Sequence, residues 1–188
     1  MRRLFFDRAL LAEGWAERVR IVVDDDGRIA SIESGSSPEG AETHAAIGVP
    51  GLANVHSHSF QRGMAGMAEF PGPTGDTFWT WRQTMYRFLE RLTPDDVEVI
   101  ASQLYVEMLE AGFTSVGEFH YLHHAPDGGW YDDPAEMAGR IAAAASRSGI
   151  GLTLLPVLYQ WSGFGKKPLE AGQRRFGSTL DSFAKLHE

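Results

Sequence analysis

The chain has 188 residues, 43% of them hydrophobic, a formal charge of -8 and no cysteine. Such a length can bury a sizeable core, whereas an acidic balance without Lys/Arg runs excludes a phosphate-binding footprint, so no nucleic-acid partner is expected. Without thiols there can be no disulfides and no thiolate metal site, and any metal must take His, Asp or Glu.

The opening Arg2-Arg3-Leu4-Phe5-Phe6 is cut by Asp7 and Arg8 well short of signal-peptide length. No segment nears the roughly 18 apolar residues of a spanning helix. A soluble, cytoplasmic chain with no membrane partner is therefore expected. Residues 4–32 alternate in the manner of strands, with Val19, Ile21 and Val23 on one side and the turn Asp24-Asp25-Asp26-Gly27 before Arg28. The Gly, Ser, Pro and Glu content between Ser34 and Ala46 predicts a solvated connection. From Ile47 onward the pattern becomes strand, helix, strand, helix, strand. Val49–His58 reads as a strand and Thr77–Leu92 as a helix. Thr93-Pro94-Asp95-Asp96 opens a second helix that Gly112 stops. Phe113–Phe119 reads as a buried strand, Pro134–Ser148 as a helix and Leu152–Leu158 as a third strand. This alternation implies parallel pairing through right-handed crossovers.

His56 and His58 stand two apart in an expected strand, so their side chains share a face and can reach one ion. Seven histidines in this length give about a quarter of such a pair by chance, so spacing alone leaves metal ligands and ordinary polar residues both open. Their place at the carboxyl end of a strand is where parallel barrels build active sites. Glu118, near the end of the next strand, could serve as a general base, as a partner for a ligand imidazole or as a structural hydrogen-bonding group. Tyr121 falls where a loop would cross a barrel mouth, although a surface tyrosine would look the same. His123 and His124 read as a solvated loop. Phe78, Trp81, Met85, Phe88 and Leu92 form one helical face of core-packing character. Arg82 lies off that stripe beside Trp79 and Tyr86, placed either to clamp a carboxylate or to meet solvent.

Val49-Pro50-Gly51-Leu52-Ala53-Asn54-Val55-His56-Ser57-His58 resembles the first barrel strand of the amidohydrolase superfamily. Ser59-Phe60-Gln61-Arg62, Phe78-Trp79-Thr80-Trp81-Arg82, Gly117–His124, Gly163-Phe164-Gly165 and Gly172–Phe176 narrow the resemblance to its formimidoylglutamate deiminase branch. It extends over nearly the whole chain.

That resemblance implies an α/β chain. Residues 1–46 would be part of a small β-sandwich, and residues 47–188 the first three or so strands of a TIM-type (β/α)8 barrel. It further implies zinc-dependent hydrolysis of N-formimino-L-glutamate, a small-molecule substrate of histidine degradation, to N-formyl-L-glutamate and ammonia. His56 and His58 would hold the metal, while Gln61, Arg82 and Tyr121 would hold the substrate. The remaining ligands and the acid/base residues would lie in later sequence, so no catalytic residue is expected within this chain. The full-length form would be a homodimer, and this portion alone inactive. Two alternatives stand beside it: a deaminase of the same superfamily acting on a heterocycle, and a non-catalytic scaffold of the same fold.

Overall fold

A computed structural model of the chain describes residues 1–67, 75 and 77–187. It divides into two compact units, Met1–Gly51 and Leu52–Glu188.

The first unit is a four-stranded sheet of β1 (Arg2–Leu11), β2 (Gly14–Val23), β3 (Ile29–Glu33) and β4 (Thr43–Gly48), in the order β3-β2-β1-β4. β1 and β2 pair antiparallel around Ala12-Glu13, as do β2 and β3. The second turn is held by Asp24, whose carboxylate accepts from the backbone N–H groups of Asp26 and Arg28, a side-chain mimic of a turn. Phe5, Ala9 and Val19 are buried on the sheet, as period-two alternation requires. β4 corrects the expectation of a solvated connection from Ser34 to Ala46, because Thr43–Gly48 pairs in parallel with β1 from Leu4 to Ala9. Non-local parallel pairing overrides the turn-like composition. Ile47 and Gly48 belong to this ladder, and the compact unit runs to Gly51.

The second unit is built on a parallel sheet, β5 (Leu52–Ser57), β6 (Phe113–His120) and β7 (Gly151–Pro156), in chain order. Two helices, α1 (Phe78–Leu89) and α2 (Pro94–Glu110), connect β5 to β6, and α3 (Glu136–Ser148) connects β6 to β7. A short α4 (Leu180–Ala184) follows. The chain is thus an α/β protein with one mixed and one parallel sheet.

Local chemistry sets the helix ends. Thr93 and Asp96 exchange side-chain-to-backbone hydrogen bonds in a capping box with Pro94 at the first helical position, and Thr77 and Thr80 do the same for α1. Gly112, at φ +89, leaves α2 in a left-handed conformation that a side chain would strain. α3 begins at Glu136, two residues after the position expected, because Asp133 accepts from the Ala135 N–H in a turn before the helix.

The core gathers one face of α2 (Val97, Ala101, Tyr105, Met108) and one of α3 (Met137, Ile141, Ala144) against Val116 of the sheet. The i, i+4 and i+3 spacing of those residues is the reason they share a face. On α1 the buried residues are Met85 and Leu89, while Phe78 is 63% exposed, so the apolar stripe expected there is core only toward its carboxyl end. Its amino-terminal aromatics line a cavity.

Candidate active site

β5 ends at Ser57, and His58 begins the approach to a 3₁₀ turn over Ser59–Met64. The two imidazoles lie on one side of the chain with ring centroids 4.6 Å apart and Nε2 atoms 3.0 Å apart. His58 Nδ1 lies 2.9 Å from the Phe119 carbonyl oxygen. A carbonyl only accepts, so Nδ1 carries the proton and Nε2 of the neutral ring keeps its lone pair toward His56. The contact can then close in two ways: His56 donates a ring N–H to His58, or both lone pairs meet one cation.

Geometry supports a fit to the second. Two nitrogens about 2.05 Å from a tetrahedral zinc would stand about 3.3 Å apart, close to the separation seen. His56 and His58 supply two ligands, and among the described residues no third His, Asp or Glu completes a group. The nitrogen donor set suits zinc and related divalent ions.

Glu118 is 1% exposed and lies on the buried side of β6. Its Oε1 accepts the Ser59 N–H at 2.6 Å, and its Oε2 accepts from the Tyr105 hydroxyl at 3.3 Å. Burial and the neighbouring carboxylate push the Tyr105 phenol upward and keep it a donor. Glu118 is therefore a structural group fixing the residue after His58. Its neighbour Phe119 fixes the His58 ring.

Gln61, on the 3₁₀ turn, donates from Nε2 to the Tyr121 hydroxyl at 2.9 Å. Tyr121 is 9% exposed rather than a surface residue; it packs edge-on to His58, Phe60 and Phe176. Burial raises its phenol to about 12. Arg82 Nε donates to the Tyr86 hydroxyl one helical turn on, and Cζ lies 5.6 Å from the Trp79 ring centroid. His58, Gln61, Arg82 and Tyr121 all line one cavity of about 430 Å³. His56 is not on its wall.

Four wall residues had no role assigned from sequence: Tyr86, Tyr159, Ser162 and Phe176. Phe176 lies in the Gly172–Phe176 stretch that helps to carry the resemblance, but no local signal marks which of its side chains turn inward.

His123 and His124 are corrected. They are 2% and 3% exposed, not solvated, because Nε2 of each faces a backbone carbonyl from distant sequence: Val157 at 3.0 Å for His123 and Gly177 at 2.7 Å for His124. Burial depresses His120 to about 3 and His123 to about 4, and lowers His124.

Residues 47–171 match the Amidohydrolase family. The chain belongs to that family. Residues 1–46 match the amino-terminal domain of formimidoylglutamate deiminase HutF. A curated formimidoylglutamate deiminase from Pseudomonas aeruginosa is 53% identical over 99% of this chain and 41% of its own length. An amidohydrolase from Brucella melitensis has a crystal structure that superposes with a TM-score of 0.94 at 52% identity, over 99% of this chain and 41% of that one. The chain thus corresponds to the amino-terminal part of these longer amidohydrolases. The atrazine chlorohydrolase of Arthrobacter aurescens, crystallised with zinc, shares the fold at 20% identity and a TM-score of 0.61, over 82% of this chain and 35% of that one. Among the described residues no helix is long and apolar enough to cross a membrane.

Proposed function

We propose that this chain is the amino-terminal part of a zinc-dependent enzyme that hydrolyses N-formimino-L-glutamate to N-formyl-L-glutamate and ammonia in the cytoplasm. The observation that carries the reading is the shared cavity, which sets Arg82, Gln61 and Tyr121 around the same space as His58. The resemblance to a named formimidoylglutamate deiminase supports the choice of substrate.

In this proposal residues 1–46 form part of a β-sandwich, and residues 47–188 form the first strands of a TIM-type barrel whose remainder supplies further metal ligands and the acid/base groups. The full-length enzyme is a homodimer. His56 and His58 hold the metal, the Phe119 carbonyl keeping His58 in the tautomer that presents Nε2. Zinc held there would supply Lewis acidity, lowering the pKa of a water that could attack an amidine carbon. Arg82 receives a substrate carboxylate: no acidic side chain pairs with it among the described residues, and its Nε is already engaged by Tyr86, leaving the terminal nitrogens for a forked contact. Gln61 and Tyr121, joined to each other, present polar groups beside His58 and orient the substrate.

The test is ammonia release from N-formimino-L-glutamate by the full-length protein, with and without chelator. Turnover that disappears on zinc removal and returns with zinc is expected. Arg82→Ala should raise KM by about 10- to 100-fold, the worth of a hydrogen bond to a charged group. Equal rates on an amidine lacking both carboxylates would remove the assignment and favour a heterocycle deaminase, whose substrate needs no carboxylate clamp.

A further inference from the structure

Two tyrosines on the cavity wall are given no substrate contact in that reading. Tyr86 lies on α1 one turn beyond Arg82, and Tyr159 follows β7. Each phenol oxygen already accepts a hydrogen bond, from Arg82 Nε in one case and from Gln173 Nε2, at 3.0 Å, in the other. Gln173 is fully buried, and its Oε1 accepts from the Glu170 N–H at 2.9 Å. That second bond fixes the amide orientation, so it is the NH2 that faces Tyr159. The Gln173 side chain reaches Tyr86 as well, so the two phenols share that amide. Once a phenol oxygen accepts from an N–H, its own proton remains to be donated, and no hydrogen bond donated by either hydroxyl is found among the described residues. Tyr121 repeats the pattern: Gln61 donates to it at 2.9 Å, and its proton meets only the Met85 thioether at 3.9 Å, a weak acceptor.

The Tyr86 ring is also pinned from the side. A Cβ at residue 172 would stand 2.4 Å from that ring, so Gly172 is the residue that lets the loop backbone pack against it. Burial raises the Tyr86 phenol, which therefore stays protonated at neutral pH.

Among the described residues the wall carries no carboxylate. It offers one guanidinium and three phenol donors. Arg82 can fork onto one carboxylate, and a second anionic group needs donors of its own. We infer that Tyr86 and Tyr159 are specificity-determining contacts: their hydroxyls, each aligned by an N–H partner, donate to the carboxylates of a dicarboxylate substrate beside Arg82. The inference rests on the proposed deiminase reading only for the identity of that substrate.

The test compares full-length wild type with Tyr86→Phe and Tyr159→Phe, which keep ring shape and packing. Each should raise KM for N-formimino-L-glutamate about tenfold while kcat stays within about threefold, the loss of a charge-assisted hydrogen bond made in ground and transition states alike. With N-formiminoglycine, which has a single carboxylate, at least one variant should lose its penalty. Gln173→Met should raise KM at least as much as Tyr159→Phe, and the two penalties should be clearly less than additive in the double variant, a coupling that general destabilisation would not give. If wild type turns over and both phenylalanine variants keep KM within twofold, this inference is overturned and the deiminase reading stands. If wild type releases no ammonia, that reading fails, and calorimetric glutarate binding decides the inference separately: weaker binding in the variants supports it, and equal or absent binding overturns it.

Discussion

Glu118 and Phe119 are adjacent on β6, yet they act on opposite sides of the same target. The Glu118 carboxylate takes the N–H of Ser59, the residue after His58, and the Phe119 carbonyl takes the His58 ring N–H. A strand's alternation sends one side chain into the core while the backbone beside it faces the site. Glu118→Leu would fill similar space but leave the Ser59 N–H and the Tyr105 hydroxyl buried without partners, each costing about 1–3 kcal/mol. Glu118→Gln keeps an acceptor for Ser59 and an amide donor for the Tyr105 oxygen. The expected result in urea unfolding is a large loss of midpoint for the leucine variant and at most about 1–2 kcal/mol for the glutamine variant. Equal losses in the two would show that size alone, and not hydrogen bonding, holds this position.

At the scale of elements, α1 is anchored at its end by a residue far along the chain. Arg175, 2% exposed, donates to the carbonyls of Leu89 and Leu92, to the His124 carbonyl and to the Tyr131 hydroxyl. Leu89 closes α1 and its carbonyl is shared between Arg175 and the Leu92 N–H, while the Leu92 carbonyl lies just beyond the helix, so Arg175 ties the helix bearing Arg82 and Tyr86 to the loop bearing Phe176. Arg175→Met should destabilise by at least about 2 kcal/mol, because several buried carbonyls lose donors at once. The more exposed neighbour Arg174, bonded to Pro126 O, should cost less than about 1 kcal/mol on the same change; similar losses at both positions would refute the tether. Such ties explain what the sequence could reveal. α2 was legible because Thr93, Pro94 and Asp96 cap it by contacts three residues apart. The pairing of His56 with His58 was legible because a two-residue spacing in an extended segment leaves little geometric freedom. β4 and the burial of His123 and His124 depend on partners tens of residues away, and no local pattern encodes them. Arg82 and Tyr121 stood out by their places on a helix and a loop, and Gln61 by resemblance alone, since nothing in their spacing shows that one cavity joins them.

Across the second unit as a whole, the buried histidines couple folding to pH. His120 faces His123, and His123 faces His124 and the Val157 carbonyl, while the Arg175 guanidinium stands near His124. Burial, and after it the neighbouring imidazole, disfavours protonation, and the folded values of His120 and His123 fall to about 3 and about 4 from an ordinary value near 6.5. The sign follows from proton counts. Below about pH 6.5 the unfolded chain takes up protons that the folded chain refuses, so the stability these residues contribute is complete above that pH. It is lost as pH falls toward 4 and then 3. Within that window each histidine removes up to about 1.4 kcal/mol per pH unit. Carboxylates titrate in the unfolded state only near 4, which leaves the interval from 6.5 to 4.5 to the imidazoles. Denaturant unfolding of the metal-free full-length protein, followed by tryptophan fluorescence, should lose stability steeply across that interval. His123→Gln keeps a donor for the Val157 carbonyl and cannot titrate, so it should flatten the slope by about the share of one group. An unchanged slope in this variant would mean that His123 is solvated when folded, and its packing against Val157 would have to be abandoned.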